Sequence, residues 1–340
     1  MDEIACESID RLISVEIRFG SGLPRGVIAP LYEAARRQSG QPLTYLAAST
    51  LRSRLQKGDR ILIATGAGAP PWLPRGETDG PLGAAAIARA LDLALGIKPI
   101  LISEERNLGP IGAAVEAAGI AVVDADMFVA RNACAMVVPC PLGDAAGKVF
   151  AREILRAHDP AAVIFVERTG PNAAGVFHSI SGSSRSADSV ANLQHLAALA
   201  RAEGILTVGI GDGGNEIGCG LIASAVQKVQ PFGLTCRCPC QKGVATVTET
   251  DLLVFCAVSN WGAYGIVAAL AALTGDRSIL HDAECEKRML SECVRHGAMD
   301  GAYARLAHAV DGVSAGANVA MLALLKEIVD LSLITYARGF

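Results

Sequence analysis

Aromatic residues make up only 4% of the 340 residues and charged residues only 19%, and neither sign of charge dominates: 30 Lys and Arg against 34 Asp and Glu leave a formal charge of −4. That balance excludes a basic nucleic-acid binder on bulk charge, and no P-loop, helix-turn-helix pattern or basic aromatic strip suggests a nucleotide or nucleic-acid partner. Internal repeats, low-complexity tracts and an obvious interdomain linker are absent too. Ten cysteines are too sparse for a small disulfide-stapled domain. The opening Met1-Asp2-Glu3 is acidic where a secretory signal would be basic and then apolar, so a reducing, cytoplasmic compartment is expected. One stretch without charge, Leu252 to Gly275, is long enough to span a bilayer. Ser259-Asn260-Trp261-Gly262 breaks it with turn formers, so it reads as a buried strand, a turn and a helix, and no membrane partner is expected.

What the chain does have is apolar bulk. Hydrophobic residues reach 51%, with 36 glycines, which excludes disorder. A chain of this mass buries about three quarters of its extended surface, ample for an enzyme-sized pocket. Residues 1–58 read as a helical cover, with Pro30 and Pro42 near helix starts and Leu43, Leu46, Leu51 and Leu55 at helical spacing. Residues 59–340 read as one α/β unit. Short apolar runs at Ile61–Thr65, Pro99–Ile102, Ile120–Val123, Ala135–Val138, Ala162–Val166, Ile205–Ile210 and Leu252–Val258 alternate with Ala-rich helical segments. This predicts a mostly parallel sheet with helices on both faces, followed by a helical C-terminal segment.

The unusual residues fall after strands. Thr65-Gly66 leads to Pro70-Pro71-Trp72 and Glu77-Thr78-Asp79-Gly80-Pro81. The Ala162 strand leads to Glu167-Arg168-Thr169-Gly170-Pro171-Asn172, the Ile205 strand to Gly211-Asp212-Gly213-Gly214-Asn215-Glu216, and the Leu252 strand to Ser259-Asn260-Trp261-Gly262. Carboxyl ends of parallel strands share one edge, where ligands bind, so these distant segments can meet at one site. Taken singly, each cluster also fits ordinary turning and helix capping. The connections Gly66–Pro81 and Gly170–Ser186 are longer than turning requires, which favours function. Three glycines around Asp212 let backbone approach a ligand, and a helix starting at Asn215 would aim its amides at an anion. Glu77 and Asp79, two apart in extended chain, can face the same way and divide acid and base roles. Cys236-Arg237-Cys238-Pro239-Cys240 invites a metal, but no second Cys/His pair stands where it would complete four ligands, so no metal is assigned there. The other seven cysteines, Cys134, Cys219 and Cys256 among them, read as small buried apolar residues. His178 and His195 are given no catalytic role.

Together these motifs resemble the D-glutamate cyclase family in content and order, from Lys57 to Val313. The ten residues Gly209 to Gly218 and the Ser259-Asn260-Trp261-Gly262 run are the most specific part. The resemblance implies a lyase that converts D-glutamate, or a close relative, to 5-oxo-D-proline with loss of water. In that reading Glu77, Asp79, Glu167 and Asp212 are catalytic. Arg75, Arg168, Asn172, Gly211, Gly213, Gly214, Asn215, Glu216, Ser259, Asn260 and Trp261 bind substrate, with Trp261 equally readable as a core anchor. The partner is a small amino acid or lactam, and a homo-oligomer stays open. No cofactor is required, although acids and an Asn suit a divalent ion. Cys219, Leu82 and Thr169-Gly170-Pro171 depart from the family's usual Met, Pro and Ala-Gly, beside the expected site. Two alternatives come from other classes. Gly211–Glu216, with Val122-Val123-Asp124-Ala125-Asp126, also looks like a magnesium-dependent haloacid dehalogenase-type phosphohydrolase, although Phe128 and Glu216 depart from that pattern. The other is a pocket that binds an amino acid or lactam without turning it over.

Overall fold

The computed structural model describes residues 2–17 and 25–334. Three helices, α1 (Asp2–Ile13), α2 (Ile28–Ser39) and α3 (Leu43–Arg54), precede the sheet. Alternation then begins: β1 (Arg60–Thr65), α4 (Pro81–Leu95), β2 (Lys98–Glu104), α5 (Leu108–Ala117), β3 (Ala121–Val122), α6 (Ala125–Ala130), β4 (Cys134–Cys140), α7 (Asp144–His158), β5 (Ala162–Val166), α8 (Gln194–Ala202), β6 (Leu206–Gly211), α9 (Ala223–Val229), β7 (Leu252–Phe255) and α10 (Ser259–Thr274). The chain ends in α11 (Ala283–Arg295), a two-stranded ribbon of β8 (Ala309–Val310) and β9 (Val313–Ser314), and α12 (Ala315–Ser332).

β1 to β7 form one sheet in the order β3-β4-β2-β1-β5-β6-β7, every neighbouring pair parallel. Strand period explains how its two faces are covered. Ile61 and Ile63 of β1 enter one core with Leu101, Ile164, Val166 and Ile210, under α4 and α10. Leu62 and Ala64 point the other way, into a second core with Ile100, Ile102, Val163 and Phe165, under α7 and α8. Strands buried on both faces are continuous apolar runs, which is why they are legible as such in the sequence.

The stretch without charge divides as expected into β7 and a helix, but the Ser-Asn-Trp-Gly run is the first turn of α10, not a break before it. Among the described residues no helix is long and apolar enough to cross a membrane, and no disulfide joins the cysteines.

Asp10, fully buried in α1, supplies what α3 lacks at its start. Its carboxylate accepts from the amides of Leu43 at 2.6 Å and Thr44 at 3.0 Å, from the Thr44 hydroxyl at 2.5 Å and from Tyr32 Oη at 3.1 Å. These satisfy orphan donors that Pro42, at the N-cap, has no side-chain acceptor to meet. Asp10→Ala is therefore expected to lower unfolding free energy by about 2–3 kcal/mol, read from the shift in a urea transition.

Candidate active site

Sheet growth reverses once. β2, β3 and β4 lie on one side of β1, and β5, β6 and β7 on the other, so the topological switch falls between β1 and β5. The crevice beyond the carboxyl ends of such strands is the expected place for a ligand. A cavity of about 310 Å³ opens there, lined by Glu77, Glu167, Asp212, Glu216, Asp311 and Arg185, with Trp72, the Ser179–Ser183 segment and Gly301 around them. Arg185 is the one Lys or Arg among the described lining residues.

Glu167 follows β5 directly and has φ 50°, the left-handed region that residues with a side chain rarely adopt. Its amide donates to the Ile210 carbonyl at 3.1 Å, and the Ser259 hydroxyl donates to its Oε2 at 2.6 Å. Burial pushes its carboxyl well above the ordinary carboxylate range. The charges of Asp212, Glu216, Asp79 and Glu77 push the same way. A strained backbone carrying a perturbed acid in a crevice marks a site rather than a scaffold position.

Glu77 is raised as well, first by burial and then by Asp311, with smaller contributions from Asp79 and Asp300, while Arg185 opposes them. The loop bearing Glu77 is held against the C-terminal segment by Thr78 N to Met299 O at 2.9 Å and Met299 N to Gly76 O at 3.1 Å. Arg185 donates to the Gly68 carbonyl at 3.3 Å, and its Nε finds no hydrogen-bond partner among the described residues. Donors thus remain for an anionic ligand.

Asp79 and Asn260 clasp the starts of two helices. Asp79 accepts from the amides of Ser259 at 2.9 Å and Asn260 at 2.8 Å, capping α10 from a loop 180 residues earlier. Asn260 Oδ1 accepts from the amides of Gly80 at 2.9 Å and Gly83 at 2.7 Å, and its Nδ2 donates to Thr78 O at 3.0 Å. A Cβ on Gly80, which has φ 96°, would stand 2.6 Å from Thr65 Oγ1 and 3.0 Å from Glu167 Cβ, so only glycine fits beside that acid. The cap explains the misread turn: a tertiary carboxylate, not a local one, starts the helix at Ser259.

The clusters expected to converge do so. Asp79, Glu167 and Asp212 each bring a carboxylate oxygen to within 4.8 Å of the others. Oxygens of this kind are what a hard divalent cation takes, so these three are the residues that could hold one. Several expected substrate ligands are engaged elsewhere. Arg168, 1% exposed, forks onto Glu104 at 2.6 and 2.5 Å and donates to Gly66 O at 2.9 Å and Ala191 O at 3.0 Å. Arg75 reaches the His296 carbonyl at 3.2 Å, outside the cavity. Asn172 accepts from Ala174 N at 2.9 Å in its own loop and donates through Nδ2 to Gly243 O at 2.7 Å in the segment after α9. Trp261 is a core anchor, its Nε1 donating to Asn318 Oδ1 at 2.8 Å and its amide to Val258 O at 2.8 Å.

The glycine-acid loop also differs from expectation. No helix starts at Asn215: a 3₁₀ turn covers Cys219–Ile222 and α9 begins at Ala223. The amides of Gly213 and Gly214 donate to Glu216 at 3.0 and 2.7 Å, so the chain's own carboxylate fills the cradle expected for a substrate anion. Gly211 ends β6, its carbonyl accepting from Cys256 N at 3.1 Å, and Asn215 Nδ2 donates to the His178 carbonyl at 3.0 Å. The Cys219 thiol donates to Glu216 Oε2 at 3.4 Å, behind the cavity.

The phosphohydrolase alternative fails on placement. Asp124 caps α6 through Met127 N at 2.9 Å and follows edge strand β3, which four strands separate from β6, the strand that Asp212 follows. Sequence reasoning in turn missed Arg185, Asp311 and Glu104. The only signal for Arg185 was its place near the end of the long connection after β5.

Comparison with known proteins points to the same family. A family model described as "D-glutamate cyclase-like, C-terminal" matches residues 25–326. The chain belongs to this family. Human "D-glutamate cyclase, mitochondrial" is 34% identical over 90 residues, a stretch that covers 24% of this chain and 13% of the human protein. The D-glutamate cyclase-like region extends past the expected 57–313 at both ends, so it takes in α2, α3 and most of α12 together with the sheet.

Proposed function

We propose that the cavity closes D-glutamate, or a close relative, to the five-membered lactam 5-oxo-D-proline, as a lyase that releases water. The observation that carries this reading is the pair of raised acids, buried Glu77 and half-buried Glu167, facing one cavity with Arg185. In the reaction the amine nitrogen attacks the γ-carboxyl carbon, a C–N bond forms, a C–O bond breaks, and the oxygen leaves as water. This needs an ionised base for the ammonium proton and a protonated acid for the departing oxygen. Burial and Asp311 raise Glu77 too, but of the two acids it is the one that Arg185 draws back more strongly toward the ionised form, so it takes the base role. Burial, and after it four acidic neighbours, favour protonated Glu167, which suits the acid. Arg185 pairs with the α-carboxylate, whose position relative to the two acids sets handedness.

Orientation supplies much of the rest, since well-placed intramolecular reactions reach effective molarities of about 10⁵–10⁸ M. The test is incubation of the purified protein with D-glutamate and with L-glutamate, with and without Mg²⁺ or Mn²⁺, and measurement of 5-oxoproline. The D-enantiomer should be consumed much faster. Tight binding of D-glutamate without product on long incubation would replace this proposal with a binding role.

A further inference from the structure

Behind the cavity lies a second cluster that the proposed chemistry does not use. Cys236, Cys238 and Cys240 sit in the connection between α9 and β7, with Sγ atoms 3.5 Å apart for the first two, 3.3 Å for Cys236 and Cys240, and 3.2 Å for Cys238 and Cys240. The fourth ligand that the sequence did not reveal comes from the loop after β5. His178 Nε2 stands 3.2 Å from Cys238 Sγ and 3.8 Å from Cys240 Sγ, 60 residues from the former. We propose that His178, Cys236, Cys238 and Cys240 bind a zinc ion in a closed, structural Cys₃His site.

Four features support this. A Zn–S bond of about 2.3 Å gives a tetrahedron with edges of about 3.8 Å, and the sulfur separations fall a few tenths of an ångström inside that. They are far longer than the roughly 2.05 Å of a disulfide. The His178 Nδ1–H has the Val176 carbonyl at 3.0 Å as its acceptor, which leaves the Nε2 lone pair facing the thiols, as an imidazole ligand requires. Asn172 Nδ2 donates to Cys240 Sγ at 3.4 Å, a hydrogen bond that favours the thiolate. With four protein ligands no coordination position is left open, so the ion ties chain segments together and activates no water. It would fasten the loop that carries Ser179, Ser183 and Arg185 to the segment after α9, beside the backbone bond from Arg237 N to Gly182 O at 2.9 Å.

The test does not depend on the reaction. The full chain, purified from zinc-replete medium, is analysed by native mass spectrometry and elemental analysis, and about one zinc per chain is expected. Replacement by Co²⁺ should produce thiolate-to-cobalt charge-transfer bands and strong tetrahedral visible bands. His178→Ala and Cys238→Ser should remove the stoichiometric metal, while His178→Cys should retain it with a shifted cobalt spectrum. If either removal variant does not fold, the wild-type cobalt spectrum still decides. A wild-type chain without stoichiometric metal and without cobalt–thiolate bands would overturn the proposal, as would removal variants that hold zinc like the wild type.

Discussion

Glu167→Gln is expected to lower turnover of D-glutamate by about a hundredfold or more, the usual effect of removing a positioned acid, and to leave the protein as stable as before or more so. The combination is diagnostic. Gln keeps the shape, and its amide oxygen can still accept from the Ser259 hydroxyl, which stands 2.6 Å from Oε2 in the wild type. It also removes a carboxyl that Asp212, Glu216, Asp79 and Glu77 all disfavour as an anion. The sign of the pH dependence follows. Below the ordinary carboxyl range Glu167 is protonated in both the folded and the unfolded chain and contributes no difference. As pH rises, the unfolded chain releases this proton first, so the folded state loses stability until the folded group ionises in turn. The stabilising effect of Gln should therefore be absent in acid and grow through that window, seen as a pH-dependent difference in melting temperature. Acid catalysis by Glu167 also predicts that wild-type kcat/KM falls as its carboxyl ionises at higher pH, and that the variant's residual rate lacks this limb. Loss of activity together with loss of stability would make Glu167 a structural residue.

What could be read in advance, and what could not, has a physical pattern. Buried parallel strands announce themselves as apolar runs, so β1, β5 and β6 and the acids just beyond them, Glu167 and Asp212, were legible from local composition. Roles set by partners distant in sequence were not. Asp79 looks like a loop acid until the amides of Ser259 and Asn260 are placed on it. Arg168 looks like a substrate ligand because Glu104, which neutralises it, lies 64 residues away at the end of a strand expected to stop at Ile102. Arg185 sits among serines without periodicity, so nothing local marks it as the cation of the cavity. His178 appeared isolated for the same reason.

Glu104→Gln should be among the most destabilising single substitutions in the chain, lowering unfolding free energy by about 3–5 kcal/mol, because it leaves Arg168 as a buried charge without its counter-ion. Glu104 and Arg168 are 4% and 1% exposed, and water cannot substitute for the lost carboxylate. Burial alone would raise the Glu104 carboxyl, but Arg168, by charge and hydrogen bonds, and the Ala191 amide outweigh it, lowering its pKa from 4.5 to about 2. Through linkage that shift is worth about 3 kcal/mol. A depressed acid stabilises above its unfolded pKa, so the contribution is full at neutral pH, begins to fade below about 4.5, and is lost as pH falls through about 2. Urea transitions of the wild type and the Gln variant should accordingly converge as pH drops through this range. A Glu104→Leu, Arg168→Met double variant, which removes both charges, should be less destabilised than Glu104→Gln alone, since an apolar pair leaves no charge unmatched. Because Arg168 directly follows Glu167, the same single variant should also disturb the cavity and impair whatever turnover remains. The double variant separates the two effects: regained stability without regained turnover would mean that the Glu104–Arg168 fork also sets the position of Glu167.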